Sequence, residues 1–189
     1  MKKMILSLAL MVTALPFLAQ SQVGSSGSQK GTIVTAANEK LEGTIKDQSK
    51  NKGTIVFIST QGEKKTYSPS ELSGFTLNGS NYIAYAGDFY KAVVSGIKVS
   101  LYQRTTNNSG KIVYNGAEAI SVTTAEGKVG DYYLQVKSGT GFTLITQKNF
   151  EGFISSAFAD CTALLADIVT KQIDYTQIIK AVERYNSCN

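Results

Sequence analysis

The sequence predicts an α+β protein, with a β-rich antiparallel sheet body over about residues 31–146 and a C-terminal helical hairpin packed on it. Three observations predict it. From Gly31 to Thr146, short runs of Val, Ile, Thr, Tyr and Phe alternate with Gly, Asn, Asp and Ser breaks, the pattern of strands joined by tight turns. At Asn149 the apolar period lengthens to three and four residues, the period of a helix face. Within the strand region, Phe89 to Tyr102 folds as a hairpin about Ser95-Gly96, with Gly supplying the positive φ of a two-residue turn. Closing there sets Val94 opposite Ile97, Ala92 opposite Val99, Tyr90 opposite Leu101 and Phe89 opposite Tyr102. One face is then wholly apolar and the other mixed, as on an antiparallel sheet with one wetter side.

In chain order, Met1-Lys2-Lys3, the apolar run Met4 to Leu18 and the small-x-small site Ala19-Gln20-Ser21 read as a cleaved secretory signal, residues 1–21. Ser7, Thr13 and Pro16 interrupt the run, which falls short of the roughly 20 apolar residues of a membrane span. No Cys follows it to carry a lipid. Residues 22–30 are a Gly/Ser linker, and 31–189 form one domain with a body at 31–146 and helices within 148–187.

Strands are predicted at Thr32 to Thr35, Lys40 to Lys46 and Gly53 to Thr60, where Gly-Thr-Ile recurs at 31, 43 and 53. The spacings suit a meander better than a solenoid. A hairpin loop at Gln61 to Glu63 leads to Lys64 to Ser68, stopped by Pro69, which has no N–H to donate; Ser68 or Ser70 caps the turn. Phe75 to Leu77 and Tyr82 to Ala86 make a second hairpin. After the loop Thr105 to Gly110 come Lys111 to Tyr114, Ala117 to Thr123, Tyr132 to Lys137 and Phe142 to Thr146. Phe150, Ile154, Ala157, Cys161, Leu164 and Ile168 then form a helical stripe, with Asn149 as N-cap and a break at Asp160. Asp174 and Gln177 open a second helix carrying Ile178, Val182 and Tyr185. The expected core is Tyr90, Ala92, Val94, Ile97, Val99, Leu101, Phe150, Phe153, Ile154, Leu164, Leu165, Ile168, Ile178 and Val182.

The formal charge is +5, and removal of Lys2 and Lys3 leaves 17 basic against 14 acidic residues, a net +3. This is too mild to argue for nucleic acid; the lysines before residue 66 suit a solvated sheet edge. Cys161 and Cys188, the two cysteines, pair as one disulfide in an oxidising compartment, against the alternative of two buried thiols. Antiparallel helices turning near Gln172-Ile173 bring them to similar heights.

Four stretches, Tyr67-Ser68-Pro69-Ser70-Glu71-Leu72-Ser73-Gly74-Phe75, Gly96 to Tyr102, Asn149-Phe150, and Asp160-Cys161 with Tyr185-Asn186-Ser187-Cys188, resemble a broad group of uncharacterised, signal-bearing envelope proteins of Bacteroidetes-type bacteria. The resemblance spans most of the mature chain. It implies export and the strand-then-helix order, and carries over no catalytic residue.

The chain has no His, which removes Ser-His-Asp, Cys-His and His-metal chemistry. No metal-ligand spacing or phosphate-binding Gly run stands out, so no cofactor is expected. Ser95-x-x-Lys98 matches the motif of penicillin-recognising enzymes, but on a hairpin Lys98 points away from Ser95. Asp88, Asp131 and Asp160 are the carboxylates that an acid/base pair on a glycosidic bond would use; turn and cap roles explain all three as well. Of ten tyrosines, Tyr82, Tyr85, Tyr90, Tyr102, Tyr114, Tyr132 and Tyr133 fall on predicted strands, and Tyr102, Tyr132 and Tyr133 are the candidate binding surface, against core filling. Adjacent Tyr132 and Tyr133 must face opposite sides of a strand. The expected function is a non-catalytic exported envelope protein binding another protein or a cell-surface polymer, without nucleic acid and without a transmembrane segment in the mature chain. A carboxylate-dependent enzyme on envelope glycan or peptide, and a structural periplasmic protein without a specific ligand, are the alternatives. Mass analysis of the secreted chain is expected to place its N-terminus at Gln22 and its mass two hydrogens below the reduced form; an intact Met1 or two alkylatable thiols contradict this reading.

Overall fold

The recurring Gly-Thr-Ile triplet sets up the first half of the molecule. The computed structural model describes residues 27–115, 117–137, 139 and 141–188, and the triplets fall at β1 (Ser28–Thr35), β2 (Lys40–Gln48) and the start of β3 (Thr54–Ser59). Their isoleucines, Ile33, Ile45 and Ile55, are all fully buried. Gly31 lies directly opposite Gly43, and a Cβ on either would collide with a carbonyl oxygen of the next strand, Thr76 and Ile58 respectively. In the first two triplets the glycine allows a close backbone approach and the isoleucine enters the core; in the third the isoleucine does the same, while Gly53 serves the turn before β3 at φ 70°. Because β1 begins at Ser28, the end of the expected 22–30 linker is strand; the expected signal, 1–21, and residues 22–26 lie outside the described residues.

Seven further strands complete the main sheet: β4 (Lys64–Tyr67), β5 (Leu72–Leu77), β6 (Ser80–Tyr85), β7 (Asp88–Ser95) and β8 (Val99–Arg104), then, after a separate ribbon of β9 (Ile112–Asn115) and β10 (Glu118–Ser121), β11 (Tyr132–Val136) and β12 (Thr143–Ile145). The ten-stranded sheet runs β12-β11-β8-β7-β6-β5-β1-β2-β3-β4, with all its pairs antiparallel. The Tyr-Ser-Pro stretch is a strand terminator: Tyr67 ends β4, Pro69–Glu71 make a single 3-10 turn, and the Ser68 N–H donates to Glu71 Oε2 at 2.9 Å. A short helix not foreseen in the sequence, α1 (Ser49–Lys52), bridges β2 and β3; the Ser49 N–H donates to Asp47 Oδ1, and Gly53 closes it at φ 70°.

Three buried clusters divide the interior. Ile33, Ile45, Ile55, Phe57, Tyr67, Leu72, Phe75, Leu77 and Phe89, with Tyr82 and Ala84 against them, form a cluster to which none of the C-terminal helices contributes. The second cluster joins Val94, Val99, Leu101, Leu134 and Ile145 to the helices α2 (Phe150–Ala157), α3 (Thr162–Val169) and α4 (Ile178–Asn186). The third, Tyr90, Tyr102 and Tyr133 with Phe142, is aromatic. The expected α+β architecture is present, with the first helix divided between Phe158 and Cys161. Asp174 caps the turn into α4 by accepting the Thr176 N–H at 2.8 Å. Cys161 and Cys188 are disulfide-bonded, Cα to Cα 5.9 Å, which ties the end of the chain to the helix break. Phe158 stacks on Tyr185 beside it, centroids 3.8 Å apart.

The β7–β8 register differs from the one expected. Val94 pairs with Leu101 and Tyr90 with Arg104, with a bulge between Ala92 and Val94. The expected two-residue turn is a longer loop, and Ile97, assigned to the core, is 83% exposed. The cause lies 88 residues away. The Asn186 side chain, at the end of α4, accepts the N–H groups of Lys98 and Val99 at 3.1 Å each and donates to Val99 O at 3.0 Å. These contacts take the place of the hairpin's own closing bonds. Gly96 is needed for this approach and not for a positive φ: a Cβ there would collide with the Asn186 amide. The bulge moves Tyr90 and Ala92 to the aromatic cluster while Val93 and Val94 face the helices. Gly96→Ala is expected to destabilise the protein by about 1–3 kcal/mol through overpacking at Asn186, read as a lower midpoint in urea; an unchanged midpoint contradicts the docking.

Candidate functional site

The chain contains two arginines among its 19 basic residues, and one of them, Arg104, is the largest fully buried side chain. It ends β8 and pairs with Asp88, which begins β7; Nη2 lies 2.5 Å from Asp88 Oδ2, and both side chains are sealed from solvent at 1% and 0% exposure. The guanidinium's other donors and Asp88 Oδ1 are used on the two limbs that lead to and from the β9–β10 ribbon. On the entering limb, Asp88 Oδ1 accepts the Thr106 hydroxyl at 2.7 Å and the Asn108 N–H at 2.9 Å. On the leaving limb, Arg104 donates to the Thr124 hydroxyl and to the carbonyls of Ala125 and Gly127, all within 3.0 Å. Asn108 carries the anchorage outward, donating to the carbonyls of Gly53 and Gly87 and accepting from Lys111 Nζ, which also reaches Lys52 O. Planar guanidinium with five donors can span such a set where lysine cannot.

The ribbon held by this clamp is an arm. Its two strands pair only with each other among the described residues. Its side chains are open to solvent: Ile112 is 56%, Tyr114 75% and Ile120 44% exposed. An apolar ribbon with unpaired outer edges is the surface to which another chain adds a strand.

The tyrosines named as a candidate surface are placed differently. Tyr102 and Tyr133 are buried, stacked or tilted against Phe142, with the Tyr133 hydroxyl donating to Glu126 O. Burial holds the Tyr133 hydroxyl above its ordinary titration range, although Arg104 opposes this. Tyr90, fully buried at 5.0 Å from the Tyr133 ring, is raised further by burial, and its hydroxyl has no hydrogen-bond partner among the described residues. Tyr132, as expected, faces the other way; it is half-buried against Tyr175 and lines an open groove. The most exposed tyrosine is Tyr114.

Nor do the three candidate aspartates meet in a cleft. Asp88 is enclosed by Arg104, Thr106 and Asn108. Asp131 accepts the Lys128 N–H in its own turn. Asp160, beside the disulfide, is held below the usual carboxylate range by the Tyr185 hydroxyl and by Lys98, 3.3 Å away. Lys98 also donates to Cys188 O at 2.6 Å, so it is engaged with the helices and turned from Ser95. A cavity of about 240 Å³ between the start of α2 and the turn from α3 to α4 does hold two carboxylates, Glu151 and Asp174. Glu151 is paired with Lys171, and the Thr176 hydroxyl and N–H hold Asp174 low. A general acid needs the opposite shift.

Comparison with protein families, with curated proteins and with solved structures finds no match. No group of three or more metal-ligating side chains occurs among the described residues. Sequence reasoning passed over Arg104, although a rare arginine in a lysine-rich chain, at the end of an apolar strand, was a usable signal. Asp88→Asn and Arg104→Met are each expected to cost about 3–5 kcal/mol, because each strands a buried charge or its donors. Denaturant unfolding checks this; a loss below 1 kcal/mol for either contradicts the clamp.

Proposed function

We propose that this chain is an exported, non-catalytic envelope protein that binds another protein or a cell-surface polymer, and that the β9–β10 arm makes the contact with a protein partner. The observation that carries the reading is the pairing of an exposed apolar ribbon with a fully buried clamp at its root. Ile112, Tyr114 and Ile120 lose water contact when a partner covers them, which favours association. The rooted limbs lower the ordering cost that a free loop would incur on binding. The apolar leader supports export; the Cys161–Cys188 disulfide is compatible with it, as is the finding that no described helix is long and apolar enough to cross a membrane.

The carboxylate-enzyme alternative draws little support from a buried, neutralised Asp88 and from carboxylates held low at Asp160 and Asp174. The test is site-specific photo-crosslinking in the native envelope. A photoreactive residue in place of Tyr114 is expected to capture one stoichiometric partner, whereas the same residue at Gly62, on the far β3–β4 loop, captures none. Ile112→Ser with Tyr114→Ser is expected to abolish co-purification while changing stability by no more than about 0.5 kcal/mol, as surface substitutions do. Equal capture from both sites, or undiminished co-purification of the double variant, overturns the assignment to the arm.

A further inference from the structure

We infer that the open groove beside α4 is a binding site for an acidic oligosaccharide of the uronate type, one carboxylate per sugar. This goes beyond the protein-binding role of the arm and stands on different residues. The groove, about 490 Å³, runs between the β5–β6 turn and α4; its lining includes Ser80, Asn81, Lys91, Gln103, Tyr132 and Ile179. Strand register explains how its floor is built. Lys91 of β7 pairs with Gln103 of β8, and Gln103 with Tyr132 of β11, so the three stand in a row on one face. Two strand spacings, about 10 Å, separate the ends of that row. This is longer than one sugar ring and within the span of a short oligosaccharide.

The charge of the groove is unbalanced. No lining residue is acidic. Lys91 is half-buried and has no ion-pair or hydrogen-bond partner among the described residues. A lysine without a counter-ion, in a groove lined by no acidic residue, favours an anionic ligand, and the side-chain amides of Gln103 and Asn81, each with one atom bonded to Gly130 O and the Thr76 hydroxyl respectively, keep further groups for sugar hydroxyls. Tyr132 adds an aromatic surface with a polar tip. A single cation pairs with one carboxylate of a uronate chain, whereas a polysulfated chain, with several anions on each sugar, calls for several. A peptide is disfavoured by the backbone: β7, β8 and β11 lie inside the sheet, paired on both sides, and offer no edge for strand addition.

The experiment is calorimetric titration of the disulfide-bonded chain with oligogalacturonate, a neutral galactose oligomer, a heparin-derived sulfated oligosaccharide and poly-glutamate. Oligogalacturonate is expected to bind, more weakly as salt rises, and the neutral oligomer at least about tenfold more weakly. Lys91→Gln is expected to lower oligogalacturonate affinity about tenfold or more, in line with loss of a charge-assisted bond, and Lys91→Arg to retain most of it. The arm variant Ile112→Ser with Tyr114→Ser is expected to bind it unchanged, which separates failure of the groove from failure of the arm. Absence of oligogalacturonate binding at millimolar concentration, undiminished binding by a folded Lys91→Gln variant, or tighter binding of poly-glutamate or the sulfated oligosaccharide overturns the inference.

Discussion

A single buried ion pair links the architecture of this protein to the surface it offers. Arg104 and Asp88 stand at the same end of two neighbouring antiparallel strands, enclosed from solvent, and between them satisfy donors and acceptors on both limbs of the β9–β10 arm. Taking two charges out of water is costly, and a well-packed apolar pair of similar volume is often at least as stable. The pair is better understood as fixing a geometry. Its hydrogen bonds reach the backbone of both limbs in directions that apolar packing does not specify, so the arm leaves the sheet at a defined place.

The helices impose a second constraint of the same kind. Asn186 grips the β7–β8 loop through the backbone of Lys98 and Val99, Lys98 reaches back to Cys188 O, and the disulfide closes the circuit at Cys161. Sheet and helices are thus joined by polar contacts at the loop and by the apolar cluster beneath it. The bulge at Val93 follows from this: it lets the strand present Tyr90 to the aromatic cluster and Val94 to the helices within four residues.

Much of this was legible in the residues. The meander of Gly-Thr-Ile strands, the stop at Pro69, the helical period after Asn149, the break near Asp160 and the cap at Asp174 are local signals, and local signals decide those features. The β7–β8 register was not legible, because a side chain 88 residues away competes with the turn that Ser95-Gly96 prefers. Tyr102 and Tyr133 read as surface because β-propensity does not distinguish a wet face from one covered by Phe142, a single residue on a later loop. Tyr132 was recoverable by alternation from Tyr133. The groove was hidden for a similar reason: Lys91, Gln103 and Tyr132 are distant in sequence and meet only through cross-strand register.

The most direct test of the clamp is native-state hydrogen exchange on the wild-type chain and on Arg104→Met. The amides of Asn108, Gly110 and Val122, whose hydrogen bonds root the arm, are expected to lose about a hundredfold or more of their protection in the variant. Those of Ile33, Ile45 and Ile55, buried core positions that report global unfolding, are expected to lose only what the variant's lower global stability removes, so that the root amides lose more by local opening. Equal loss at all six positions, or none at the root, contradicts a clamp that acts on the arm.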